Sequence, residues 1–206
     1  MKKSRLTAAW LAMLLVALAA LAIAPAAGAK TTTVKLKGGT TTLAFNPQSA
    51  QNLQAMGIAV APVAPTTAAA GPVLTFPIRS GTLKISGAKK KKVTGKVTQA
   101  GGMTLSNPGY AVTMNTPSVT LAAAGSNMAA STLLNGTPAG VMAVADVDLS
   151  KAKVTLTSKT VKITGVVVKL NPTAAGVMNQ VFAVTGFTPG FEVGTAILRA
   201  DLKQQH

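Results

Sequence analysis

The sequence lacks most of the residues that enzymes use for chemistry. Its 206 residues include no cysteine, one histidine and four acids. Without cysteine there is no disulfide, no thiol nucleophile and no thiol to carry a lipid anchor. The one histidine, His206, ends the chain, where residues are usually frayed, so a serine nucleophile lacks its base and a zinc ion lacks ligands. These absences predict a protein that is not an enzyme.

Of the four acids, only Asp146 and Asp148 are close in sequence. They lie two residues apart, on one face of a predicted strand. Paired carboxylates act in glycoside hydrolysis or hold a cation. The ordinary alternation of a half-solvated strand favours another interpretation, in which neighbouring lysines pair with these acids on a wet surface.

Aromatic residues are also scarce, with one tryptophan, one tyrosine and five phenylalanines. Trp10 lies in the N-terminal apolar segment, so the rest of the chain must build its core from aliphatic residues and methionine. The basic residues are not interleaved with aromatic side chains on which bases would stack, and this disfavours a nucleic-acid partner.

The first 29 residues have the order of a secretory signal peptide. A basic start is followed by an apolar run and by the small-residue triplet Ala27-Gly28-Ala29. An uncleaved membrane anchor is the alternative, but the run is shorter than the roughly 20 apolar residues that a span needs. We predict cleavage between Ala29 and Lys30, which makes residues 1–29 the signal and residues 30–206 a single domain. Because no later run approaches membrane length, we expect a secreted, extracellular or cell-wall-associated product without a transmembrane span.

Alternation with a period of two dominates the remaining sequence and predicts strands. Apolar residues alternate with threonine or lysine, so each segment offers one apolar face and one wet face. Turn signals such as Gly38-Gly39 and Asn135-Gly136 separate the segments. The pattern predicts an all-β fold, an antiparallel β-sandwich. The clearest segments are residues 34–36, 43–45, 83–85, 112–114, 119–121, 154–156 and 161–163.

Two segments break the alternation and predict short helices. Each begins with Asn-Pro, at Asn46-Pro47 and at Asn171-Pro172. Asparagine suits the N-cap because its side chain accepts an unpaired backbone N–H, and proline suits the first helical position. We predict helices over residues 47–56 and 172–182. Their likeness indicates either an internal pseudo-repeat or two independent uses of the same helix start.

Two stretches show little periodicity. The segment 61–72 is rich in alanine, proline and threonine, and its composition predicts a surface loop. The segment 122–140 is rich in small and polar residues, and two interpretations stay open for it. It contains a weak strand around residues 132–134, or it is a mobile loop.

Positive charge is the chain's strongest compositional feature. Residues 30–206 carry seventeen cationic and four acidic side chains, a formal charge of about +13. Four consecutive lysines, Lys89, Lys90, Lys91 and Lys92, fall between two predicted strands and therefore at a hairpin tip. Such a run binds an anionic polymer, or it is a solvated turn that keeps a strand edge from aggregating. The charge of the whole domain favours an anionic cell-envelope polymer or a surface protein as the partner.

The order of several motifs resembles the Htaa domain, a secreted or surface β domain of actinobacteria that is associated with haem uptake. The motifs are Phe76-Pro77-Ile78 with Ser80-Gly81-Thr82-Leu83, the segment from Gly95 to Leu105 around Gly101-Gly102, and the segment from Val112 to Val119. The resemblance runs along most of residues 30–206. It implies a non-enzymatic extracellular binding or structural module.

The same resemblance implies haem as an alternative ligand, held by a tyrosine that a histidine supports. Gln99 stands where the family has its histidine, and the start of the domain lacks the family's tyrosine. Tyr110 is the sole tyrosine and would have to ligate the iron. The other interpretation of Tyr110 is a strand-end residue with a solvated hydroxyl. Our primary expectation is that the protein has no cofactor and that Lys89 to Lys92 bind the partner.

Overall fold

The computed structural model describes residues 31–87 and 91–203, which form twelve antiparallel strands and two short helices. The predicted all-β antiparallel class with two short helices is confirmed. The strands are β1 (Thr32–Phe45), β2 (Ala59–Val63), β3 (Thr67–Ala69), β4 (Val73–Ser86), β5 (Lys92–Gln99), β6 (Gly102–Asn107), β7 (Tyr110–Leu121), β8 (Asn127–Leu134), β9 (Thr137–Asp148), β10 (Lys153–Leu156), β11 (Thr160–Leu170) and β12 (Glu192–Leu202). The helices are α1 (Pro47–Ala55) and α2 (Pro172–Phe182).

Eight of the strands are joined by hydrogen bonds into a closed ring. The hydrogen-bonded order runs β2-β6-β7-β5-β4-β1-β12-β11-β9-β8, and β8 also pairs with β7. This last pairing closes the eight strands from β7 through β5, β4, β1, β12, β11, β9 and β8. Closure removes the free edges that an open sheet of these strands would present.

The alternation in the sequence decides which side chains fill the ring. On β4, Leu83 and Ile85 are buried while Lys84 between them is exposed, and β1, β5 and β11 repeat the pattern. The most completely buried residues, Leu83, Val97 and Val161, have no exposed surface. The core is therefore aliphatic, with methionine and a few phenylalanines, as the scarcity of aromatic residues predicted.

Both predicted helices begin where the Asn-Pro pairs indicated. Asn46 caps α1 by accepting a hydrogen bond from the Ser49 N–H at 2.9 Å, and Asn171 caps α2 by accepting one from the Thr173 N–H at 3.0 Å. The prolines occupy the first helical turn, where no N–H is needed. Helix α2 packs against β7 and β9, so it covers part of the sheet.

The two stretches with little periodicity are more ordered than their composition suggested. The predicted loop over residues 61–72 is wrong in part, because β2 continues to Val63 and pairs with β6, and β3 pairs with β4. The segment 122–140 contains β8 and the start of β9, joined at Asn135-Gly136. In both cases the backbone pairs with a distant strand, which local composition does not reveal.

Among the described residues, no helix has the length and apolar character that a membrane span requires.

Candidate functional site

The predicted lysine tip lies at the turn between β4 and β5. Ser86 of β4 pairs with Lys92 of β5, and this is the last pair of the hairpin before its turn. Lys91 and Lys92 are part of the described structure, whereas Lys89 and Lys90 lie outside the described residues. Lys92 is exposed and Lys91 half-buried.

Beside this tip, a basic cleft of about 940 Å³ is lined mainly by three segments of the chain, with further residues from β4, β10 and β11. One wall is the start of β5 with Lys91 and Lys92, a second is the turn over residues 122–126, and the third is the end of β9. Asp146, Asp148 and Lys169 also line it. The structure thus brings the two acids singled out in the sequence next to the lysines at the tip.

Hydrogen bonds fix both acids of the cleft. The Asp148 Oδ1 accepts from the Ser150 N–H at 2.8 Å, and its Oδ2 forms an ion pair with the Lys169 Nζ at 3.1 Å. The Ser150 backbone N–H, then the Ser150 hydroxyl and Lys169, hold the pKa of Asp148 well below its usual range. The Asp146 Oδ1 accepts from the Asn171 Nδ2 at 2.9 Å. Asp148 thus has the lysine partner that the alternation favoured, whereas Asp146 is held by an asparagine amide.

The charge of the described strands is concentrated on one side of the ring. Strands β5, β4, β1, β12 and β11 are consecutive neighbours, and each carries lysine or arginine on its outer face. By contrast, β2, β3, β6, β7 and β8 contain no charged residue. We call the outer face of the first five strands the basic wall; its cations include Lys35, Lys84, Lys92, Lys96, Lys162 and Arg199.

The cations of the basic wall are poorly neutralised. Within the described parts of the chain, the one ion pair is that of Lys169 with Asp148, at the rim of the cleft. The five strands of the wall contain two acids, Glu192 and Asp201. The wall therefore presents a net positive face to solvent.

Sequence reasoning missed the basic wall, although a signal for it was present. Residues 38–78 and residues 97–145 contain no charged side chain, so the charges of residues 31–203 are confined to the remaining segments. Those segments pair with one another in the sheet. The segregation along the chain was visible in the sequence, but its meaning required the strand order.

Tyr110 lies far from the basic cleft. It begins β7, pairs with Asn107 across the β6–β7 hairpin, and is 45% exposed. The other end of β7, at Leu121, pairs with Gly95 near the lysine tip. Twelve residues of strand put more than about 30 Å between Tyr110 and that tip. Tyr110 is thus placed as the exposed strand-end residue that the second interpretation describes.

Gln99 lies inside the ring. It is 2% exposed and lines an apolar cavity of about 60 Å³ together with Thr41, whose hydroxyl is buried without a hydrogen-bond partner. A second apolar cavity of about 60 Å³ lies between the ring and α1. Tyr110 is not among the residues that line the two inner cavities or the basic cleft.

No group of three or more histidine, cysteine or carboxylate side chains lies together in residues 31–87 and 91–203. The described part of the chain therefore offers no multidentate metal site built from such ligands.

Comparisons with known proteins relate this geometry to solved structures. No protein-family model matches the sequence, and no curated protein does. The C-terminal domain of HtaA from Corynebacterium glutamicum has a similar structure, with a TM-score of 0.59 at 14% identity over 82% of this chain and 99% of that one. The haem-binding protein HtaB from the same organism matches with a TM-score of 0.50 at 14% identity, over 84% of this chain and 98% of HtaB. The chain therefore has the fold of the Htaa domain, as the order of its motifs predicted.

Proposed function

We propose that this chain is an exported, non-enzymatic binding module of the cell surface whose ligand is an anionic polymer of the cell envelope. The observation that carries the proposal is the basic wall, a face of five neighbouring strands whose cations are mostly exposed and poorly neutralised. Exposed charge of one sign attracts an oppositely charged polymer over a distance of about a Debye length.

The disposition of acidic groups supports a binding role over catalysis. Asp146 is engaged by Asn171, and Asp148 by Ser150 and Lys169. A carboxylate whose pKa is held low is a poor general acid at neutral pH. The ion pair with Lys169 and the hydrogen bonds from Ser150 and Asn171 give both acids structural partners, so a catalytic role is not needed to explain their positions.

The test is retention of purified residues 30–206 on immobilised cell-envelope fractions at low and at high salt. We expect retention in about 0.02 M salt and release in about 0.5 M salt, because the Debye length shrinks several-fold between them. Retention that does not respond to salt would exclude a charge-driven ligand, and absence of retention at low salt would contradict the proposal.

Haem binding is a second candidate function, and the observation that favours it is the similarity to HtaB. The surroundings of Tyr110 do not fit a haem group. Its side chain is 45% exposed on a hairpin, and each inner cavity, at about 60 Å³, is far smaller than a haem. Gln99 is buried in the ring, on the lining of one of these cavities. We therefore rank haem below the anionic polymer and assign it no residue beyond the predicted Tyr110.

Haemin titration separates the two functions. If the protein is a haem carrier that uses Tyr110, the wild type gives a shifted Soret band that Tyr110→Phe abolishes while the circular dichroism spectrum is unchanged. We expect no Tyr110-dependent band. A band that persists in Tyr110→Phe would establish haem binding at another place and would contradict our ranking.

A further inference from the structure

We infer that the basic wall itself is the docking face, and that its ligand is a linear phosphodiester polymer lying across strands β5, β4, β1, β12 and β11. This inference rests on the proposed function and assigns it a surface and a ligand chemistry. The lysine tip and the basic cleft are then neighbours of the binding face and are not its centre.

The first observation is the regular placement of lysine and threonine on the wall. In one row Lys35 of β1 is opposite Thr82 of β4, which is opposite Lys96 of β5. In the adjacent row Lys84 lies between two threonines on the neighbouring strands. Diagonal neighbours in an antiparallel pair are about 7–8 Å apart, so the backbone positions of Lys35 and Lys84, which are diagonal neighbours on β1 and β4, are separated by about that distance. A chain of anions with similar spacing would meet one cation after another.

The second observation is a pair of like charges placed directly opposite each other. Arg199 of β12 is in register with Lys162 of β11, and direct opposition of like charges destabilises a sheet. Neither residue has an ion pair within the described parts of the chain. A phosphate bound between the two side chains would offset their repulsion. Without a ligand the repulsion between Arg199 and Lys162 destabilises the fold, and with a bound phosphate both side chains would make attractive contacts.

The third observation concerns the chemistry of the side chains. The phenylalanines at positions 45, 76, 182 and 187 are buried, Phe191 just before β12 packs half-buried against the core, and the exposed Tyr110 belongs to β7. The outer faces of the five strands therefore offer no aromatic ring to a sugar or a base. Lysines outnumber arginines on it, and lysine binds an anion as a point charge on a flexible stem, without the fixed geometry by which arginine binds carboxylate or phosphate through two parallel hydrogen bonds. Threonine hydroxyls between the lysines supply further donors. These groups fit a flexible phosphodiester chain better than an acidic sugar polymer.

The width of the wall sets the length of the ligand. Five neighbouring strands span about 19 Å, since adjacent strands lie about 4.8 Å apart. At the lysine spacing of about 7–8 Å, the wall meets roughly three or four phosphates at once. We therefore expect affinity to rise with oligomer length up to about four repeats and to level off beyond that length.

The experiment titrates residues 30–206 with fluorescent poly(glycerol phosphate) oligomers of two, four and eight repeats. The test variant is Lys162→Gln with Arg199→Gln, and the control variant is Lys151→Gln with Lys153→Gln, which removes the same charge at exposed positions outside the five strands. We expect the test variant to lose about tenfold in affinity, from two charge-assisted contacts, and the control less than about twofold. The slope of log K against log salt should fall by about two in the test variant.

The outcomes separate the inference from the proposed function. Equal losses in both variants would show diffuse attraction and overturn the wall as the docking face, while the proposed function would stand. Equal or tighter binding of polygalacturonate would overturn the phosphate chemistry. If wild-type protein is retained on envelope fractions but ignores poly(glycerol phosphate), the ligand assignment fails alone, and if it ignores both, the proposed function fails too. Because the substitutions remove two opposed like charges, we expect a higher urea midpoint for the test variant than for the wild type. A midpoint at or above the wild-type value shows that misfolding does not cause the lost binding.

Discussion

At the scale of single residues, local chemistry and distant partners contribute differently to the cleft. The largest cause of the low pKa of Asp148 is the hydrogen bond from the Ser150 backbone N–H, two residues away. Aspartate side chains commonly accept such a bond from the backbone two positions on, in an Asx-turn. Its ionic partner Lys169 is 21 residues away. The sequence predicted that a lysine would pair with this acid, but the identity of the lysine depends on the β9–β11 register, in which Val167 is opposite Asp148.

The order of causes at Asp148 gives a titration prediction. In Lys169→Gln we expect the pKa of Asp148 to rise but to stay below its usual range, because the Ser150 hydrogen bonds remain. A folded-state pKa below the unfolded value means that Asp148 stabilises the fold above pH ~4, and that this stability is lost as the pH falls through the folded-state pKa. Carboxyl-detected NMR titration measures both proteins. A pKa restored to the ordinary value would show that Lys169 is the main cause.

A second residue-level prediction concerns Gly95, which has a φ of +136° and lies close to β4. A Cβ at this position would lie 2.1 Å from the Thr82 carbonyl oxygen. We expect Gly95→Ala to lower the free energy of unfolding by at least about 2 kcal/mol, from backbone strain and this collision. Gly136→Ala is the control, because it also has a positive φ but no atom within 4 Å, and it should cost about 1 kcal/mol. Equal costs in urea denaturation would contradict the role of the collision.

At the scale of elements, the sequence predicted the features that depend on residues close together in the chain better than those that depend on distant strand pairing. The helix starts at Asn46 and Asn171 were predictable because a cap is made with residues two or three positions away. Strand β2 was not predicted, and β8 was predicted only as one of two alternatives, around residues 132–134. Pairing with β6, β7 and β9 supplies the hydrogen bonds that the small residues of these strands do not specify. For the same reason the lysine tip was predictable and the basic wall was not.

Helix α2 offers a stabilising substitution. Gly176 lies in its middle, is exposed, and has no atom within 4 Å of an added Cβ. We expect Gly176→Ala to raise the free energy of unfolding by about 0.5–1 kcal/mol, since alanine restricts the unfolded chain and favours helix. Urea denaturation provides the measurement. A loss of stability would contradict the open space at Gly176 and would show that the added methyl group collides with another atom.

At the scale of the whole molecule, charge segregation makes stability depend on salt. The cations of the basic wall repel one another in the folded protein. Because the described residues contain one ion pair, attraction between opposite charges offsets little of this repulsion. We expect the urea midpoint of residues 30–206 to rise between about 0.02 M and about 0.2 M potassium chloride as the repulsion is screened. The Lys162→Gln, Arg199→Gln protein should show a smaller rise. A midpoint that falls with salt would mean that attractive pairs dominate.

Ring closure also bears on the order in which the strands can assemble. Strand β12 is inserted between β1 and β11, and the Lys203 N–H donates to the Lys35 carbonyl at 2.9 Å. The earliest and the latest strands of the described chain are therefore direct neighbours, and the intervening strands cannot complete the cylinder without residues 192–202. In a chain that emerges N-terminus first, the ring would therefore close only after nearly all of residues 31–203 had emerged.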